Sequence, residues 1–260
     1  MTRRTIDGMR GILTGGSSGI GEALARELVV GGAKLLIVAR REDRLRQLAD
    51  SLAPTNGKVE ILAGDITEAA VRRSAVERAV SAFGGLDLLV NNAGSGAMGR
   101  FDAATPERLR QIMELNFFAP AELIRIALPS LQQGIHPLVV NISSVLGHRG
   151  VPFCSEYCAS KFALQGLSES LRAELAPVGI DLLVASPART DTEFFESAVN
   201  PHETRWPLVR GIPATTVSRR IVRAMRRGSH EVIPSSKGKA LVWANRLFPG
   251  IVDRVLARSR

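Results

Sequence analysis

A chain of 260 residues is long enough to bury a full core. Its 45% apolar and 23% charged content is ordinary for a globular protein. No apolar run approaches the roughly 18 residues that span a bilayer. Two cysteines, Cys154 and Cys158, exclude a disulfide framework, and four scattered histidines show no metal-ligand spacing, so no metal is expected.

The start, Met-Thr-Arg-Arg-Thr, has no apolar h-region or small-residue cleavage site, which predicts a cytoplasmic protein. The net charge of +9 is uneven: residues 201–260 hold 13 Lys/Arg against 3 Asp/Glu, whereas residues 1–200 hold 21 against 22. No recognition motif accompanies the basic tail, so nucleic acid is not an expected partner.

Met9–Thr14 reads as a first strand and runs straight into Thr14-Gly15-Gly16-Ser17-Ser18-Gly19-Ile20-Gly21. Glycines there let backbone approach a pyrophosphate, and the helix that follows presents free N–H groups to it. Ile20, Leu24 and Leu28 give that helix its period. Strands are predicted next at Ala33–Ala39, Lys58–Ala63, Leu86–Asn91, Leu138–Ser143 and Ile180–Ser186. A short seventh at His230–Ile233 follows a helix at about Ala214–Arg227. Helical spacing fills the gaps between, and Gly31-Gly32 and Gly84-Gly85 stand where helices stop. This alternation predicts an α/β protein with a parallel sheet covered on both faces. With no linker or repeat, one domain over 1–260 is expected, with a basic amphipathic extension from about 237. The segment Pro106–Leu131 is helical but should be bent or interrupted at Pro120. Asn141-Ile-Ser143 matches a glycosylation acceptor by chance, since it lies in an expected buried strand.

Tyr157 and Lys161 lie four apart in a helical segment and project from one face. A free tyrosine titrates near pH 10, too high for ready proton exchange at neutrality. A cation about 4 Å away would lower that by roughly three units at an effective dielectric of 20. Tyr157 is the only tyrosine in the chain. Ser144 ends the fifth strand, and Ser143 should point to the opposite side. Cys154 and Cys158, which flank Tyr157, read as small buried residues at a helix start.

Taken together, Thr-Gly-x-x-x-Gly-Ile-Gly at 14–21, Asn91-Asn92-Ala93-Gly94 and Tyr157-Cys-Ala-Ser-Lys161 resemble the short-chain dehydrogenase/reductase family over about residues 8–195. The resemblance implies a Rossmann-type doubly wound sheet of about seven strands, order 3-2-1-4-5-6-7, and a homodimer or homotetramer acting on a small-molecule substrate. It implies an NAD(P)-dependent exchange of alcohol and carbonyl. Tyr157 would move the proton, Lys161 would hold the nicotinamide ribose and lower the tyrosine pKa, Ser144 would polarise the carbonyl, and Asn116 would support a proton relay. It implies cofactor contacts at Gly15, Ser17, Ser18, Gly19, Ile20 and Gly21 of the turn, at Asp65 and Ile66 after strand three, and at Asn91, Ala93 and Gly94. After strand six, Pro187, Thr190 and Thr192 match further contacts, although Ala188 stands where the family has glycine. Asp65 also reads as a cap before Thr67.

At the end of strand two, Ala39-Arg40-Arg41 offers guanidiniums instead of an acid. That favours the 2′-phosphate of NADP(H) over the free hydroxyl of NAD(H), with Ser17 adding a hydroxyl. Two other functions share parts of this pattern. A sugar-nucleotide epimerase or dehydratase would bring Thr-Gly-x-x-Gly-x-x-Gly and a longer C-terminal domain, and a non-catalytic dinucleotide sensor would not need Asn116, Ser144, Tyr157 and Lys161 together. Segments 95–98, 148–153 and 194–206, with Phe153, Phe194, Phe195 and Trp206, point to a hydrophobic, lipid-like substrate. In the tail, Leu241, Ala244 and Phe248 fall on one helical face, continued by Ile251 and Val255 beyond Pro249-Gly250. That stripe suits an interfacial helix on anionic lipid, and equally a lid or subunit contact.

Overall fold

A computed structural model of the chain describes residues 2–194, 198 and 211–258. Strands β1 (Arg10–Thr14), β2 (Lys34–Ala39), β3 (Lys58–Ala63), β4 (Leu88–Asn91), β5 (Leu138–Ile142) and β6 (Asp181–Ala185) alternate with helices α1 (Gly19–Val30), α2 (Glu42–Leu52), α3 (Ala69–Phe83), α4 (Pro106–Met113), α5 (Ala119–Gln132) and α6 (Ser155–Leu175). After β6 come two very short strands, β7 (Thr190–Asp191) and β8 (Ile212–Pro213), then α7 (Ala214–Arg227), β9 (Glu231–Val232), α8 (Ser236–Leu247) and α9 (Pro249–Arg258). The main sheet has seven parallel strands in the order β3-β2-β1-β4-β5-β6-β9. The expected seventh strand is thus β9. The pairing of β7 with β8 was not foreseen.

Side chains alternate across each strand and feed two cores. Leu13, Ile37, Val90 and Val140 pack with Leu24, Leu28, Leu45, Ile221 and Met225 of α1, α2 and α7. Ile12, Leu36, Leu89 and Val139 pack on the other face with Ala75, Phe83, Leu123 and Leu131 of α3 and α5. Strands covered on both faces need apolar residues throughout, which is why β4 and β5 are buried end to end.

The break in the long helix comes just before Pro120. Residues Glu114–Phe118 form one π-helical turn between α4 and α5. Pro120 has no N–H to offer the carbonyl of Asn116 four residues earlier, so the ladder widens there. Helix α4 is tied to the start of α6 by Arg108 and Glu156, a buried ion pair in which Arg108 Nε donates at 2.6 Å. Removing one partner of such a pair typically costs about 3–5 kcal/mol, so the contact fixes α6 firmly next to Tyr157. No helix among the described residues is long and apolar enough to cross a membrane.

Candidate active site

A cleft of about 700 Å³ opens at the carboxyl ends of the strands, where parallel sheets of this kind bind ligands. Its floor is the turn between β1 and α1. Gly15 has φ +69°, and a Cβ there would stand 2.7 Å from Ala93 Cα, so only glycine lets the turn pass this close to the end of β4. Ser17, Ser18, Gly19, Ile20 and Gly21 line the cleft at the N-terminal end of α1, where the helix leaves free N–H groups.

At one end of the cleft lie Arg40 and Arg41, both exposed. Arg41 donates to Ser17 Oγ at 3.1 Å and Ser18 Oγ at 2.7 Å, and pairs with Glu193 at 3.0 Å. Ile66 lines the adjoining wall with Asp65, whose Oδ1 accepts from the backbone and hydroxyl of Thr67 at 2.9 and 2.8 Å. Asp65 thus closes the turn that leads to α3 and does not cap that helix, which begins at Ala69.

Ala93 and Gly94 line the middle of the cleft, and Asn91 does not. Its amide donates to Asn141 Oδ1 at 2.8 Å, and Asn141 in turn donates to Ser168 at 2.9 Å, all buried. Strand alternation turns Asn91 into the core and hands the next position to the cleft. Asn92 takes that place, donating to the carbonyls of Thr14 and Gly15 at 3.0 and 2.9 Å. Of the two adjacent asparagines, Asn92 lines the cleft and Asn91 stands behind it. Asn141, buried in this ladder, offers no surface for a glycan.

Ser144, Tyr157 and Lys161 meet at the other end, all buried. The Ser144 hydroxyl hydrogen-bonds the Tyr157 phenol and accepts from Leu146 N at 3.1 Å. Ser143 faces away, toward the carbonyl of Lys161 at 3.5 Å. Lys161 Nζ donates to the Ile142 carbonyl at 3.0 Å and stands 5.8 Å from the Tyr157 ring centre. The expected lowering of the tyrosine pKa by Lys161 is not what the geometry gives. Burial pushes the phenol above its usual value, and the Ser144 hydrogen bond offsets only part of that. Burial also lowers the Lys161 ammonium to about 8.

Asn116 lies behind this group, outside the cleft lining, on the π-helical turn. Its Oδ1 accepts from Ser95 N, and its Nδ2 donates to Ser95 O and Ser160 Oγ, each at 2.9 Å. Ser160 in turn donates to the Tyr157 carbonyl at 2.7 Å. A Cβ on Gly94 would stand 3.0 Å from Asn116 Oδ1 and 3.6 Å from Lys161 Nζ, so glycine keeps this corner open.

Pro187, Ala188, Thr190 and Thr192 line the last wall, with Thr190 Oγ1 donating to the Ala188 carbonyl at 3.0 Å. Beyond Tyr157 the cleft is walled by Leu115, Leu146, Val151 and Phe194, with Gln111 and Glu114 as polar members. The Phe194 ring meets Tyr157 edge-on at 5.7 Å. Phe153 is not on this wall, and Phe195 and Trp206 lie outside the described residues. Gln111, on α4, and Glu114 and Leu115, on the widened turn, were missed because nothing in their spacing shows which side of this segment faces the cleft. Cys154 and Cys158 are buried with Met98, and burial raises both thiols, Cys154 to about 12. They are packing residues. Among the described residues no group of acidic, histidine or cysteine side chains could hold a metal ion.

Residues 11–203 match the family model described as short chain dehydrogenase. The chain belongs to that family. It is an NAD(P)-dependent oxidoreductase acting on CH–OH groups. The uncharacterised oxidoreductase YxnA of Bacillus subtilis is 31% identical, over 95% of this chain and 71% of its own. A 3-ketodihydrosphingosine reductase of Bacteroides thetaiotaomicron is 33% identical over 72% of this chain and 65% of its own. A short chain dehydrogenase from Burkholderia cenocepacia, solved in complex with NADP, superposes with a TM-score of 0.78 at 28% identity, covering 88% of this chain and 97% of that one.

The buried Lys161 generates a prediction for the cofactor-free protein. Its folded pKa of about 8 lies below the unfolded value of 10.5. Between these values the unfolded chain binds the extra proton, so stability rises with pH across the window, by roughly 3 kcal/mol in total. Below pH 8 the full penalty applies. Relative to Lys161→Met, the wild-type unfolding free energy should therefore climb from pH 8 to 10. A difference that stays flat over that window contradicts the assignment.

Proposed function

We propose that the chain is an NADP(H)-dependent oxidoreductase that interconverts a hydrophobic alcohol with its ketone or aldehyde. The observation that carries this reading is the arrangement at the two ends of one cleft. Ser144, Tyr157 and Lys161 share one end, and Arg41, held by Ser17 and Ser18, stands at the other. The bound nicotinamide would supply or accept the hydride, which is the cofactor's own chemistry. The glycine turn and α1 would hold its pyrophosphate, with Ile66 and Asp65 beside the adenine and Thr190 and Thr192 along the far wall.

Tyr157 gives its hydroxyl proton to the substrate oxygen during reduction and takes it back during oxidation. Ser144, hydrogen-bonded to that hydroxyl, donates to the same oxygen and stabilises the charge that develops there. Lys161 would hold the ribose hydroxyls, and Asn116, fixed by Ser95 and by Ser160, which donates to the Tyr157 carbonyl, positions the start of α6 behind the phenol. A wall of Leu115, Leu146, Val151 and Phe194 favours an apolar chain next to the carbonyl. One relative is, by its name, a 3-ketodihydrosphingosine reductase, which is consistent with reduction of a ketone.

The preference for NADP(H) rests on Arg40 and Arg41 with Ala39 in place of an acid. Guanidiniums make two charge-assisted bonds to a phosphate and none of that strength to a hydroxyl. A homodimer or homotetramer and a cytoplasmic location complete the reading. Arg41→Ala should lower kcat/KM for NADPH by roughly tenfold or more, the scale of one charge-assisted bond, with little change for NADH. Equal efficiencies for the two cofactors in the wild type would overturn the preference.

The tail supports a contact with anionic membrane surfaces. The exposed apolar residues are Trp243, Leu247, Phe248, Ile251 and Val255, each more than half exposed, whereas Gly238 and Val242 face the protein. Of the stripe read from the sequence, Ala244, Phe248, Ile251 and Val255 are exposed and Leu241 is half-buried, and Trp243 and Leu247 widen it. Lys237, Lys239, Arg246, Arg254 and Arg258 surround it, and the one acid, Asp253, is taken by Arg149. Two copies of so basic a face would repel each other, whereas anionic headgroups complement it. Vesicles containing anionic lipid should sediment the wild type at low salt and release it at high salt, and Phe248→Asp with Ile251→Asp should abolish binding. A wild type that stays in the supernatant at low salt makes the stripe a packing surface.

A further inference from the structure

Arg41 and Arg44 converge on a single carboxylate. Glu193 Oε2 accepts from Arg41 at 3.0 Å and Oε1 from Arg44 at 2.7 Å. Glu193 belongs to neither β2 nor α2, and reaches them from the segment that follows β7. On one side of it, the Thr192 side chain lies so close to Gly19 that a Cβ there would stand 3.1 Å from its methyl. On the other side, Phe194 rests against Tyr157.

Two features distinguish this contact from an ordinary surface ion pair. One acid is shared by two arginines, which hold its carboxyl below the usual range and keep it an anion at neutral pH. Arg41 is at the same time fixed to Ser17 and Ser18 on the glycine turn, inside the cleft. A carboxylate and a phosphate monoester present the same kind of acceptor edge to a guanidinium, and one N–H cannot serve both.

We propose that Glu193 is an internal competitor for the 2′-phosphate of the cofactor, a specificity-determining residue that holds Arg41 and Arg44 until a dianion displaces it. The proposal rests on the NADP(H) reading above. A 2′-phosphate carries more charge than the carboxylate and wins the arginines, whereas the neutral 2′-hydroxyl of NAD(H) leaves Glu193 in place. Glu193 thus weakens binding of the phosphorylated cofactor, and its displacement detaches residues 192–194 from α2. Phosphate capture at one end of the cleft is in this way linked to the Phe194 wall beside Tyr157 at the other.

The test is calorimetric titration of 2′,5′-ADP and of 5′-AMP, which differ by the 2′-phosphate alone, into the full chain. Glu193→Gln should tighten 2′,5′-ADP by roughly three- to tenfold, the scale of exposed ion pairs, and leave 5′-AMP within twofold. Glu193→Ala should repeat the result, which separates lost charge from any local effect of the new amide. A wild type that prefers 2′,5′-ADP with variants that change neither affinity overturns the proposal and leaves the NADP(H) reading standing. Equal tightening of both ligands also overturns it, because Glu193 would then compete with the 5′-phosphate. A wild type that binds the two ligands alike overturns the NADP(H) reading and the proposal with it.

Discussion

The ammonium of Lys161, buried and bonded to the carbonyl of Ile142, is the contact on which the catalytic end of the cleft depends. It ties one turn of α6 to the last residue of β5. Tyr157 sits four residues earlier on the same helix face, and Ser144 two residues beyond the strand. Fixing the lysine therefore fixes the distance from phenol to serine. Burial of an ammonium is unfavourable, as its lowered pKa records, so the contact is kept for geometry more than for stability. The Asn91–Asn141–Ser168 ladder and the Arg108–Glu156 pair hold the same helix from β4 and α4. Four elements thus converge on the placement of one phenol.

A second constraint is the π-helical turn at Glu114–Phe118. The missing N–H of Pro120 frees a carbonyl and lets the helix widen, and the widened turn carries Asn116 inward and Glu114 and Leu115 to the cleft wall. A proline that reads as a defect in the sequence is thereby the means of bringing a polar amide under Tyr157. The segment Thr192–Phe194 plays the matching part on the opposite side. It touches the glycine turn, Arg41 and Arg44 at the start of α2, and the tyrosine ring in three consecutive residues.

The sheet was legible because its signal is local: apolar strands buried on both faces, each followed by a helix of clear period. The glycine turn, Ser144, Tyr157 and Lys161 were legible because motif spacing carries them. What was not legible depends on direction. Asn91 and Asn92 have the same chemistry and differ only in which way the strand turns them. The influence of Lys161 on Tyr157 could not be read from i,i+4 spacing, because the ammonium turns to a strand carbonyl and burial governs both groups. Glu193 has no motif at all, and its link to Arg41 spans 152 residues of chain. In the tail, periodicity placed Ala244, Phe248, Ile251 and Val255 on the outward side, whereas the exposure of Trp243 and Leu247 follows from α8 packing through Gly238 and Val242.

The central claim is that the Tyr157 hydroxyl carries the proton in hydride transfer, and Tyr157→Phe removes that hydroxyl alone. The direct measurement pairs NADPH binding, by fluorescence titration, with single-turnover reduction of a long-chain ketone. NADPH affinity should be unchanged and the rate lower by roughly a hundredfold or more, the scale of lost general acid catalysis. A folded Tyr157→Phe protein that binds NADPH and turns over within a few-fold of the wild type would contradict that claim.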